Sequence, residues 1–475
     1  MKIKTNRKNS VIIFLLLLLI IINFIFLSLF NYKKVESIFE LELVILIVFA
    51  FFISTKKNGI ISETNIFLLF YVLFLCILPI ENFFKLINIK NANIISYSYS
   101  LSDLVYIKAL FCLLIGLIAS IISILIFNID FQLKNLKNEL IESYKGNFDM
   151  ILFIIYLIMV IMSIPYLIFN SRIVSGLGYG SIFNSIESTG ITKISEIANS
   201  LIFPFFITSL IINKQNKYMK QSIVVYACWS ALNIFGGKRS TVILGILFSI
   251  WFYNKYVKSV NISKFMIIIA LLLCISSFML TNRGIGSSNT SNISDNGSSI
   301  YVLCLSIENE EILNSKYCNE SRVPYIFGLL EKDIKSIYYK MTFQDSPYSG
   351  GQTIDTLQNS SYLGWELTYL ISSNSYLSGY GVGSSYIAEA YLSFGYIGVF
   401  FVTIFIFMLI SFFQKGRSNI KFIIYISMIN SFFMMPRASF FNFLISMLTI
   451  IIVYLFVTLF RNIVISKNIN KITSK

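Results

Sequence analysis

"VIIFLLLLLIIINFIFLSLF", Val11 to Phe30, is an uncharged apolar run long enough to cross a ~30 Å hydrocarbon layer as a helix. It follows the basic start "MKIKTNRK", which gives it the outline of a signal peptide. It is too long for that role and lacks a small-residue cleavage site, so it reads as a retained first span. Similar runs recur to the other end of the 475-residue chain, which is 56% hydrophobic and 13% charged. A soluble domain carries about 25% charged residues, so this composition describes a multi-spanning membrane protein. The runs do not alternate polar and apolar residues as barrel strands do, and the expected fold class is all-α.

Twelve spans fit, at about 11–30, 38–54, 64–80, 104–128, 149–168, 196–213, 221–235, 240–257, 264–281, 386–413, 422–435 and 440–460. The weakest are the short eleventh and the fourth, where Lys108 either snorkels or faces the bundle. With the amino terminus inside, every cytoplasmic segment is rich in Lys or Arg, including "TKKNG", "KQNKYMK", "QKGRSNIK" and the tail. Short loops on the other side carry at most two such residues each. This is the positive-inside pattern with both termini cytoplasmic, and it accounts for the net charge of +15 without nucleic acid. The chain reads as a single integral membrane domain, 1–475, with one long external segment, 283–385, between spans nine and ten. That segment contains stretches of helical periodicity such as "YIFGLLEKDIKSIYYKM", and a loop of such length is usually functional.

The chain has no histidine, which removes the usual general base and the commonest metal ligand. Any chemistry must run on carboxylates, Lys, Arg or Tyr. The six cysteines show no metal spacing. Cys76, Cys112, Cys228 and Cys274 lie in spans as small apolar residues, whereas Cys304 and Cys318 fall in the exported segment and are expected to form a disulfide.

Three constellations could carry chemistry. "GGKRS" sets Lys238 and Arg239 in a tight external gap between two spans, against the charge rule. Arg437, in "MMPRASFF", occupies another external gap where Pro436 breaks the helix, and Arg172 and Arg283 follow spans five and nine. Each alone is equally well read as snorkelling to headgroups. Four arginines at one face suggest a polyanionic ligand, since guanidinium forks match phosphate oxygens. The second constellation is Glu389, about one turn into span ten after the glycines Gly379, Gly381 and Gly383. A carboxylate there costs free energy unless it is an ion pair that fixes packing or a functional group. Asp333, Asp345, Asp355 and Glu366 compete with it. The third is aromatic density in the external segment, with Trp365, Tyr380 and Tyr386 as candidate sugar-stacking residues and an interface belt as the plain alternative.

"GGKRS" between two spans, the long late loop, and "GSSYIAEAYLSFGYIG" from Gly383 to Gly398 together resemble the Wzy-type O-antigen polymerases, also called oligosaccharide repeat unit polymerases. The resemblance implies a GT-C-type membrane glycosyltransferase fold, related to O-antigen ligases and to the shape-and-division peptidoglycan polymerases. It implies a substrate, undecaprenyl-pyrophosphate-linked oligosaccharide units, joined in blocks on the outer face of a bacterial cytoplasmic membrane. It also implies membrane lipids as surroundings, and a chain-length regulator and a flippase of the same pathway as partners. No cofactor is expected, because a polyprenyl pyrophosphate is already an activated leaving group. Ligases of this superfamily commonly carry His, and the peptidoglycan polymerases Asp, where this sequence has Ser384, which leaves Glu389 as the nearest carboxylate. The expected roles are catalysis by Glu389, Arg239 and Arg437, and substrate binding by Lys238, Arg172, Arg283, Tyr380, Tyr386 and Trp365. A flippase or transporter of the same lipid-linked units, or a ligase differing only in acceptor, would share most of these features.

Overall fold

The computed structural model describes residues 7–29, 32–89, 91–94, 97–127, 148–177, 190–212, 217–236, 238–281, 298–316, 323–342, 352–415 and 418–473. In chain order the helices are α1 (Arg7–Leu29), α2 (Tyr32–Asn58), α3 (Glu63–Phe83), α4 (Asp103–Ile126), α5 (Phe148–Leu177), α6 (Ile191–Ile212), α7 (Lys217–Leu232), α8 (Arg239–Tyr256) and α9 (Ile262–Thr281). The long segment holds α10 (Ser299–Glu308), α11 (Glu310–Lys316), α12 (Gly328–Met341), α13 (Ile354–Gln358), α14 (Leu363–Ile371) and α15 (Ser373–Leu377). It is followed by α16 (Tyr386–Gln414), α17 (Asn419–Met434) and α18 (Phe443–Thr473). The protein is thus an all-helical polytopic membrane protein; a two-stranded hairpin, Asn91–Ile94 with Tyr97–Ser100, is the exception among the described residues. Among the described residues, eight helices, α1 to α6, α16 and α18, are long and apolar enough to cross a membrane. The other four expected spans coincide with α7, α8, α9 and α17.

The axis of the first group is α4. Its sequence is apolar on every side, so it is buried on every side, and α1, α2, α10 and α16 pack around it. Gly116 opens room for the Tyr71 hydroxyl, which donates to the Leu113 carbonyl at 2.8 Å. At the other end the Lys57 ammonium caps the helix by donating to the carbonyls of Ile124, Leu125 and Phe127.

A second group comprises α5 to α8. Pro165 interrupts α5, and Ser195 of α6 repairs the interruption. Its hydroxyl donates to the Met162 carbonyl at 2.5 Å and accepts from the Tyr166 N–H at 2.9 Å. Met162 and Tyr166 are the pair that an unbroken helix would join directly, so the serine is inserted into the missing rung.

The long segment is not wholly a polar loop. Its first helix, α10, is almost entirely buried and packs on α4 and α16, because "IYVLCLSI" within it is apolar apart from Ser306, whose hydroxyl is satisfied by the Val302 carbonyl. Cys304 lies on this helix as a free, fully buried thiol, which overturns the expected disulfide; Cys318 lies outside the described residues. Cys228, expected to pack within a span, is exposed on the helix surface.

One polar cluster ties the two groups together. The Lys255 ammonium pairs with the buried Glu63 carboxylate, the Tyr425 hydroxyl donates to that same carboxylate, and Lys255 also donates to the Tyr425 oxygen at 3.0 Å. The three residues belong to α8, α3 and α17, and the ammonium sits 5.5 Å from the centroids of both the Trp251 and Tyr425 rings. Removing one partner leaves an uncompensated buried charge, at a cost of about 3–5 kcal/mol, whereas removing both leaves none. Thermal melts in detergent should therefore show Glu63→Gln and Lys255→Met each strongly destabilised. The double variant should lose much less than the sum of the two.

Candidate functional site

The site forms around the first turns of α16. Ser385 starts the helix, and Glu389 follows one turn later with its side chain completely buried. Eight residues into the helix the backbone breaks: Phe394 has φ −146° and ψ 17°, and Gly395 has φ 62° and ψ −154°, a combination open only to glycine. The helix resumes at Tyr396 and runs to Gln414. Gly398 lets the resumed helix pass under the outer one, since a Cβ there would collide with the Ala390 carbonyl oxygen.

The Glu389 carboxylate has three donors. Ser384 Oγ donates to Oε1 at 2.7 Å, while Ser439 Oγ and the Phe440 N–H both donate to Oε2 at 3.0 Å. The last two come from the break between α17 and α18, where Pro436 ends one helix and Met435–Arg437 and Phe440–Asn442 form single 3₁₀ turns. Oε2 is thereby fully used, and Oε1 keeps a lone pair. Arg437 lies on this same break, half-buried, with its guanidinium carbon 5.4 Å from the centroid of the Phe74 ring. Phe74 belongs to a π-helical turn within α3, Val72–Cys76, a local widening often found at functional sites.

The glycine-rich approach to Ser384 is held by α14. The Val382 N–H donates to Thr368 Oγ1 at 3.1 Å, and Gly364 lies so close to the Gly383 carbonyl that a Cβ would come within 2.9 Å of it. This brings Tyr362, the residue before α14, within electrostatic reach of the carboxylate. Trp365 and Tyr362 meet edge to face at 5.6 Å, and the Lys332 ammonium sits 5.0 and 5.5 Å from their respective ring centroids. The Tyr362 hydroxyl is pushed well above its ordinary ionisation range, first by burial and then by the charges of Glu389 and Asp333. Asp333 is itself raised by burial, against the opposing pull of Lys332.

Among the expected site residues, Arg437 lies two residues before Ser439, which binds Glu389, and Trp365 packs on Tyr362, whose hydroxyl feels the Glu389 charge; Tyr380 is half-buried within the glycine-rich approach. Tyr386 is a correction: it has no exposed surface, its hydroxyl accepts from Thr403 and its ring packs 6.4 Å from that of Phe67, so it is a core residue and not a sugar platform. Lys238 lies elsewhere in its described contacts, with its ammonium 5.0 Å from the Tyr166 ring centroid of α5, and the adjoining Gly236 packs beside Asn170 near the exposed Arg172. Arg283 and the Arg239 side chain lie outside the described residues, as does Asp345. Glu366 is buried and accepts the Tyr325 hydroxyl at 2.9 Å, which marks it as a packing residue. Sequence reasoning missed Ser439 and the Phe440 N–H, although the Pro436 break announces that backbone groups nearby need partners.

The chain matches the family model of O-antigen polysaccharide polymerase Wzy over residues 10–468. It belongs to that family. No curated protein and no solved structure matches it. Membership makes the chain a polymerase of O-antigen polysaccharide, with a polymerising, glycosyltransferase-type activity on lipid-linked repeat units in the membrane, and nothing favours a flippase or a ligase. In the polymerase the kink at Gly395 sets the direction of the short helix that carries Glu389. Gly395→Ala forces an L-residue into a glycine-only conformation at about 1–3 kcal/mol, and Gly398→Ala drives a methyl into backbone. Both variants should melt at lower temperature than the parent, and Gly398→Ala should lose polymer even when membrane levels of the protein are matched.

Proposed function

We propose that this chain joins undecaprenyl-pyrophosphate-linked oligosaccharide units on the outer face of the bacterial cytoplasmic membrane, with both termini in the cytoplasm and Glu389 as general base. The observation that carries the reading is the Glu389 carboxylate itself: buried, held by three donors, and left with one free lone pair on Oε1. Ser384 occupies the place where the ligases and peptidoglycan polymerases it resembles carry His or Asp. By bonding to Ser384, Glu389 brings its Oε1 to that place.

The acceptor sugar hydroxyl attacks the anomeric carbon of the donor chain. The bond from that carbon to the pyrophosphate oxygen breaks, the polyprenyl pyrophosphate leaves with the electron pair, and the hydroxyl proton passes to Oε1. Arg437 stabilises the charge that develops on the leaving pyrophosphate, with Arg239, Lys238, Arg172 and Arg283 as the further cations that guide it. Trp365 and Tyr380 support the sugars, since rings pack on the apolar faces of pyranoses. A flippase delivering the units and a chain-length regulator are the partners this activity requires.

Glu389→Gln keeps size and, through its amide oxygen, the bonds accepted from Ser439 and Phe440, but not basicity, and loss of a general base costs typically 10²–10⁴-fold in rate. The purified variant, at normal yield and still binding lipid-linked donor, should therefore make almost no polymer. A near-normal rate would dismiss Glu389 as the base. Arg437→Lys keeps the charge but loses the planar fork, and should likewise shorten or abolish the ladder of chain lengths on a gel.

A further inference from the structure

Helix α12, Gly328–Met341, carries an apolar face that nothing else in the described chain covers. Ile334, Ile337, Tyr338 and Met341 recur at the spacing of one helical face and are between 41% and 74% exposed. The opposite face belongs to the protein: Leu329 is buried, and Lys332 lies over Trp365 and Tyr362. Glu331, Asp333 and Lys335 fill the flanks, so the helix is strongly two-sided while its average composition is not apolar enough to span.

The position of α12 relative to the spans is fixed at its amino end. The Ile326 N–H, just before it, donates to Ser393 Oγ at 2.9 Å, next to the kink in α16. Phe327 stacks on Phe441 at 5.5 Å, immediately before α18 begins. From Tyr396 to Gln414 the straight part of α16 has roughly 19 residues, or about 28 Å, which matches the hydrocarbon thickness of a bilayer. The kink therefore lies at the edge of the hydrocarbon, and α12 starts at that level. A lipid-facing stripe on α16 begins at the same point, with Phe394, Ile397, Phe401 and Phe405 all exposed. Phe405 and Phe441 each contact the Phe440 ring, which joins that stripe to the start of α12.

We infer that α12 is an interfacial helix whose Ile334, Ile337, Tyr338 and Met341 face is buried in the membrane surface beside α16 and α18. The occupant is lipid because the exposed face continues a surface that the spans already present to lipid, at the depth where tyrosine is favoured. This inference does not depend on the role given to Glu389. Its consequence does reach that residue: Ser393, which holds the chain before α12, also donates to the Glu389 carbonyl at 2.7 Å, so lipid contact at α12 helps to hold the carboxylate-bearing turn.

The test uses the full chain, freed of other label-reactive cysteines, in phosphatidylcholine–phosphatidylglycerol liposomes. Spin labels on single cysteines at Ile337 and Met341 should collide readily with oxygen and several-fold less with an aqueous nickel chelate than a label at the exposed Asn374 of α15. Equal nickel access at all three positions would overturn the inference, placing the face in water. Spin–spin broadening at positions 337 and 341 that vanishes on dilution with unlabelled chain would also overturn it, in favour of a second copy as occupant. A carbene-generating lipid checks the unaltered chain. Peptides covering residues 334–341 should acquire label, and their complete protection would refute lipid contact.

Discussion

A backbone N–H or C=O freed inside a bilayer has no water to bind, and each unsatisfied group costs several kcal/mol. This chain nevertheless breaks or ends several helices within the protein, and at four of these places a polar side chain bonds the backbone groups involved. Ser195 enters the ladder of α5 at Pro165, Lys57 takes the last carbonyls of α4, and Ser393 bonds the chain before α12 beside the kink in α16. At the Pro436 break the partner is Glu389, whose carboxylate receives the Phe440 N–H.

The constraint bears directly on the candidate site. A carboxylate used only to satisfy one N–H would be a costly choice, since a serine or asparagine oxygen would serve with no charge to bury. Glu389 accepts from two hydroxyls besides, all four groups coming from two segments far apart in sequence. Its Oε2 is fixed by two donors while Oε1 accepts one, so the carboxylate is held in a single orientation. The same break carries Arg437, so the cation and the carboxylate are positioned by one irregular stretch of backbone.

Much of the architecture was legible because apolar length is a one-dimensional signal. All twelve expected spans coincide with helices, from α1 to α18. The polar contacts between helices were not legible, because they depend on which faces meet. Glu63 and Lys255 are 192 positions apart, and nothing local pairs them. The apolar run in α10 was hidden by the polar residues on either side, and with it the burial of Cys304. At the site, Glu389 and Arg437 could be singled out as charges that a membrane disfavours. Tyr386 was misassigned because a tyrosine in a polar-looking approach gives no sign that the helix it starts turns inward.

The central position of α4 carries a consequence for how the protein is made. A span surrounded by protein at the end is surrounded by lipid at the start, because α16, one of its main neighbours, begins about 260 residues after α4 ends. At ~5–20 residues per second that interval is tens of seconds. The innermost helix must therefore be acceptable to hydrocarbon by itself, and apart from Asp103 at its start and Lys108 one turn in, it carries no charge. Its neighbours then displace lipid from a helix that is already in place, so the final packing is an exchange of one apolar environment for another, driven by close fit more than by escape from water.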